Sequence, residues 1–146
     1  MATDLINAWP NVHLSELSAI AAEIWTLLPE PAFVALEAEM GSGKTTLVQH
    51  LLNAAQIPHF EGSPTFAIVQ AYDAPKKGPI YHLDCYRIEN EQELVNLGLE
   101  ELFDEAAYFF VEWPEKIESI LPKPRYRLYI RIESDHRREI SLHYDH

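Results

Sequence analysis

The segment Gly41-Ser42-Gly43-Lys44-Thr45-Thr46 puts two glycines, a lysine and two threonines almost side by side. Residues of these types in this order suit a polyphosphate. Glycines let the backbone turn so that successive N–H groups converge on anionic oxygens. A helix that starts here adds the positive end of its dipole. Lys44 then reaches the β- and γ-phosphates, and the Thr45 hydroxyl is placed to ligate Mg²⁺. The full pattern, G-x-x-x-x-G-K-[ST], has a further glycine where this chain carries Ala38. A Cβ is costly at a residue that needs positive φ. A slightly distorted loop or weaker binding is therefore the expectation for Ala38.

Phosphate-chain hydrolysis also calls for a carboxylate at the end of a buried strand, near the metal. Asp84 ends the stretch that begins at Ile80, and Glu112 ends the stretch that begins at Ala107. Ligands of open α/β sheets lie beyond the carboxyl ends of the strands. Glu112 is assigned to Mg²⁺ and water, and Asp84 to orienting the metal shell or the nucleophile. The sequence does not decide between this order and its reverse. Thr65, in Ser63-Pro64-Thr65, lies in a loop of the kind that senses a γ-phosphate. Trp113 either walls the site or packs in the core. His82 reads as a hydrogen-bonded core histidine, and Cys85 as packing. His13 to Ser15, or Arg137 and Arg138, are candidates to flank a base.

These residues need elements to hold them. Ser15–Leu28 reads as an amphipathic helix capped by Ser15, with Leu17, Ile20, Ala21, Ile24 and Leu28 on one face. Phe33–Ala38 is a strand and Lys44–Ala55 a helix. Strands follow through Ile68–Tyr72 and Ile80–Leu83, on either side of the turn Pro75–Pro79. Asn90 caps a helix through Glu93 that ends at Gly98. Ala107–Val111 is apolar throughout, as in a strand buried on both faces. Tyr126, Leu128, Ile130 and Ile132 alternate with Arg125, Arg127, Tyr129 and Arg131. The alternation resumes at Ile140, Leu142 and Tyr144, so a C-terminal antiparallel hairpin is expected. The order predicts one α/β domain over residues 1–146, with a mixed sheet.

Composition narrows the functions. The chain has 146 residues, no disulfide partner for its single cysteine, and a formal charge of −12. Such a balance repels phosphate backbones at long range, so strong direct nucleic-acid binding is not expected. The charge is uneven. Ten acids face one base from Glu89 to Glu118, and six bases face two acids from Lys123 to Arg138. The acidic stretch reads as a solvated face or as a docking surface for a basic protein. The basic one either balances it or touches a nucleotide. No signal peptide and no membrane span is legible, so a cytoplasmic location is expected.

Gly41-Ser42-Gly43-Lys44-Thr45-Thr46, Ser63-Pro64-Thr65-Phe66, His82-x-Asp84-x-Tyr86-Arg87 and Val111-Glu112-Trp113-Pro114 stand in the order and spacing of the TsaE (YjeE) family. The resemblance covers about residues 15 to 132. It departs from the usual family pattern at Ala38-Glu39-Met40-Gly41 and at Cys85. It implies a P-loop NTPase-like three-layer sandwich. It also implies an ATP- and Mg²⁺-dependent ATPase needed for N6-threonylcarbamoyladenosine in tRNA, acting with the TsaB–TsaD heterodimer and not transferring the group itself. On this resemblance Lys44 and Thr45 hold phosphate and Mg²⁺, Thr65 is switch-like, and Asp84 and Glu112 are the essential acids, with Glu112 nearest the metal. Slow hydrolysis alone and faster hydrolysis in complex are expected. A small-molecule kinase and a nucleotide-dependent scaffold without hydrolysis are the rival readings.

Overall fold

Phe33, Val34, Ala35 and Leu36 are all buried, because the strand they form lies in the middle of a sheet covered on both faces. The computed structural model describes residues 3–39, 41–57, 68–123 and 125–146. Thr65 and the rest of Ser63-Pro64-Thr65-Phe66 lie outside the described residues. The elements are β1 (Thr3–Val12), α1 (Leu17–Leu27), β2 (Phe33–Ala38), α2 (Lys44–Ala54), β3 (Val69–Ala74), β4 (Gly78–Asp84), α3 (Glu91–Leu97), α4 (Leu99–Leu102), β5 (Tyr108–Glu112), β6 (Arg125–Ser134) and β7 (Arg137–Asp145). Short 3₁₀ segments cover Leu14–Glu16 and Pro114–Ile120.

The described strands form one mixed sheet in the order β1-β7-β6-β2-β5-β4-β3. Its centre, β6-β2-β5-β4, is parallel, and both flanks are antiparallel. One face is covered by α1 and α2, whose Ile24, Leu47, Val48 and Leu51 pack with Leu36, Phe110 and Leu128. The other is covered by α3, α4 and the segment after β5, where Leu94, Leu99 and Ile117 meet Phe109 and Val111. This is the expected three-layer sandwich with a C-terminal hairpin.

One expectation needs correction, and two features were not foreseen. Ser15 does not cap α1. The chain enters through the Leu14–Glu16 turn, where the His13 N–H donates to Glu16 Oε1 at 2.9 Å. The first ten residues carry no legible alternation, yet Thr3–Val12 forms edge strand β1 on β7. Its pairing slips between Trp9 and Val12, around Pro10. An edge tolerates a proline because a missing N–H costs no ladder bond there. Finally, the first two arginines of β6 are not solvated, whereas Arg131 is exposed. Arg125 and Arg127 are both buried. Arg127 Nε donates to Asp145 Oδ2 at 2.9 Å and its NH1 to Glu37 at 3.0 Å, while Arg125 reaches Glu118 at 3.0 Å. Two arginines of the basic stretch therefore pair with acids, one of which, Glu118, belongs to the acidic stretch. Burial favours the neutral form of Asp145, but the hydrogen bond from Arg127 and the charge of Arg125 outweigh it and hold its carboxyl below the usual range.

Candidate functional site

The chain leaves β2 and turns into α2 through a loop built on glycine conformations. Gly41 has φ 78° and Gly43 has φ 96°, both in the left-handed region. Ser42 N–H donates to Glu39 O at 3.1 Å, which tightens the turn. No side chain caps α2, so its N-terminus opens toward the cavity beside Lys44, Thr45 and Thr46. The first turn of a helix lacks intrahelical acceptors for its N–H groups, which suits it to an anion. Ala38 does not take the left-handed backbone that a glycine would favour. It ends β2 in extended register with Ile130 and is not among the described positive-φ residues, so its Cβ meets no backbone strain.

Beside this loop lies a cavity of ≈ 560 Å³. The loop lines one side, and Asp84, Tyr86, Glu112 and Trp113 line the other. Sheet topology explains the meeting. Strands β4 and β5 are parallel neighbours, with Asp84 in register with Glu112, and β5 lies directly beside β2. The two acids thus stand side by side at the carboxyl end of the sheet, as the sequence led one to expect. They are not equivalent. Glu112 is buried; its Oε1 lies 3.7 Å from Lys44 Nζ, and its Oε2 contacts His82 Nε2. Asp84 is half-buried and accepts from the Tyr86 N–H at 3.1 Å. Burial raises the Asp84 pKa above the usual range, opposed by that hydrogen bond and by Lys44, and reinforced by the neighbouring charge of Glu112.

Lys44 also lies 4.5 Å from the centre of the Trp113 ring, a cation–π contact. The Trp113 backbone has φ 58°, which is strained for a bulky residue. Tyr86 then packs on Trp113 with ring centres 4.9 Å apart. Trp113 therefore walls the site. His82 is the buried histidine expected, with Glu112 as its partner. Cys85 is buried too; burial and the nearby Asp84 push its thiol pKa up to about 12, so it stays neutral and packs. Arg87 is exposed and lines neither cavity.

A second cavity, of ≈ 420 Å³, shares Gly41, Ser42 and Gly43 with the first. Its walls come from the two ends of the chain. Val12, His13, Leu14 and Leu17 meet Ile130, Asp135, His136, Arg138 and Ile140. Of the base-flanking candidates, His13, Leu14 and Arg138 are here, while Ser15 and Arg137 are not. Sequence reasoning missed how Arg138 is used. Its Nε donates to Ser42 O at 2.9 Å and its NH2 to Gly41 O at 3.4 Å. These bonds tie the Gly41–Ser42 backbone to β7. The pairing of β7 with β6 and β1 makes this possible, and no local motif records it.

The described residues hold no group of three or more His, Cys, Asp or Glu side chains fit for a metal. No described helix is long and apolar enough to cross a membrane. A family model described as "Threonylcarbamoyl adenosine biosynthesis protein TsaE" matches residues 12–140. The tRNA threonylcarbamoyladenosine biosynthesis protein TsaE of Bacillus subtilis (strain 168) is 35% identical over 134 residues, covering 92% of this chain and 83% of the relative. The protein of the same name from Borreliella burgdorferi is 41% identical over 100 residues, covering 67% and 71%. The crystal structure of Bacillus subtilis YdiB matches with a TM-score of 0.78 at 28% identity, covering 100% of this chain and 89% of that one.

Proposed function

The chain belongs to the TsaE family, and from that premise we propose that it is an ATPase serving tRNA threonylcarbamoyladenosine biosynthesis. The observation that carries the ATPase reading is the position of Lys44. It stands in one cavity between a glycine-shaped loop and two adjacent strand-end acids. ATP would lay its phosphates along Gly41–Thr46 and place its nucleoside in the second, largely apolar cavity that shares the same loop. The Thr45 hydroxyl and the Glu112 carboxylate fit Mg²⁺, which takes oxygen donors and commonly uses only one or two carboxylates besides phosphate and water. When bound, the ion neutralises charge on the β- and γ-phosphates.

The residues of the chain divide the work. In this structure Lys44 rests against Glu112 and Trp113. With ATP present its ammonium turns to the γ-phosphate and takes up charge as that group departs. Loop N–H groups do the same from the other side. Glu112 serves the cation and Asp84 orients water. This order is favoured because Glu112 is the acid beside Lys44, while Asp84 is the more exposed of the two. Thr65 remains a proposal from its motif alone. Among the described residues lining this cavity, Lys44 is the single cation and no arginine enters. Charge stabilisation by an arginine is worth about 10³–10⁵ in rate in related chemistry. Hydrolysis by the chain alone should therefore be slow, and partner binding should raise it. The TsaB–TsaD heterodimer is the proposed partner, and the cytoplasm the proposed location.

Phosphate release should be measured with the purified chain, with TsaB–TsaD, and with both. Stimulation in the mixture supports the reading. A chain as fast alone as in the mixture contradicts partner activation. ATP-dependent assembly without any phosphate release would favour a scaffold.

A further inference from the structure

The two oxygens of Glu112 have different neighbours. Oε1 is 3.7 Å from Lys44 Nζ, at the cavity. Oε2 meets His82 Nε2, with both side chains buried in the sheet. His82 lies on β4 two residues before Asp84, on the same sheet face, so the strand that supplies one acid also supplies a support for the other. An ionised carboxylate only accepts hydrogen bonds, so the ring nitrogen facing it carries the proton. The terminal torsion of a glutamate is broad and poorly fixed by its own rotamer preferences. A donor on one oxygen removes that freedom and leaves the other turned to the cavity.

We infer that His82 is a positioning residue, which fixes Glu112 so that a single oxygen faces a divalent cation bound with nucleotide. The inference rests on the ATP and Mg²⁺ reading above. Partners that orient a ligating carboxylate or imidazole typically contribute about 10–100-fold to metal affinity. A histidine that merely fills the core would stabilise the fold without any such preference for magnesium.

Calorimetry with ADP, in Mg²⁺ and then in EDTA, separates the two. The quantity read is the gain in ADP affinity that Mg²⁺ confers. His82→Met removes the donor but keeps an apolar side chain of adequate length. It should bind ADP like the wild type in EDTA and lose about 10-fold or more of the magnesium gain. His82→Gln places an amide N–H near the original Nε2 and should keep most of it. His82→Asn falls short of that position and should lose it. The Gln and Asn pair decides the matter should the Met variant fail to fold. Equal gains in all folded variants, or equal losses in Mg²⁺ and EDTA, would overturn the inference. A wild type whose ADP affinity ignores Mg²⁺ would overturn the magnesium assignment, and this inference with it.

Discussion

The two cavities that share the Gly41–Gly43 loop differ in the residues that line them and in where those residues stand in the chain. One side is polar by residue type, carrying Lys44, Asp84 and Glu112, and its residues come from Glu39 and three compact motifs at strand ends: Gly41–Thr46, Asp84–Tyr86 and Glu112–Trp113. The other side is mostly apolar, and its walls join residues 12–17 to residues 130–140. Charge chemistry at fixed positions needs particular residue types at particular spacings. An apolar recess needs only shape, which many sequences can supply. The contrast teaches that two neighbouring cavities can differ in how openly the chain declares them.

The largest effect should come from Lys44→Ala. Removing the cation of the polar side should weaken ATP or ADP binding by about 10–100-fold and abolish measurable hydrolysis. Calorimetry and phosphate release check this, and an unchanged variant would remove the polar side from the site. Next come the acids. Glu112→Gln should cut hydrolysis by about 10²–10³-fold while sparing part of the binding. Asp84→Asn should lower hydrolysis yet leave Tm unchanged or higher. The sign follows from its raised pKa: the folded state holds that proton more tightly than the unfolded chain does, so ionised Asp84 costs stability at neutral pH, and asparagine removes the cost. If Asp84→Asn proves the more damaging to turnover, the two roles are reversed.

A smaller effect is expected in the second cavity. Arg138→Met should raise the ADP dissociation constant about 10-fold, with turnover at saturating ATP reduced much less. An equal loss of turnover would mean that Arg138 serves the polar side. The smallest effect on the site should follow Asp145→Asn, which loosens the hairpin carrying Arg138. Its carboxyl is held below the usual range, so its contribution to stability is full above about pH 5 and fades as pH falls past ~3.9 toward the folded-state value. Denaturant midpoints should therefore separate wild type from variant at pH 7 and converge in acid.

Strand-end acids and the lysine loop were legible because each follows an apolar run long enough to mark a strand. Parallel pairing of β4 with β5 then places Asp84 beside Glu112 with no further information needed. The burial of Arg125 and Arg127 on β6 was not legible for a physical reason. Alternation distinguishes two faces but does not say that both are covered. Arg125 and Arg127 are buried because acids outside their strand, Glu37, Glu118 and Asp145, come to meet them. Strand β1 was invisible for the converse reason. An edge with most residues exposed needs no hydrophobic rhythm. The hold of Arg138 on the loop escaped notice because its acceptors are backbone carbonyls, which every sequence has.

The left-handed backbone of Trp113 bears on any attempt to harden this protein by laboratory selection. Such a conformation costs about 1–3 kcal/mol in a bulky residue. A screen that rewards heat resistance alone would accept glycine or asparagine at 113 and relieve that tension. The survivors would be sturdier molecules that had discarded the ring lying over Lys44.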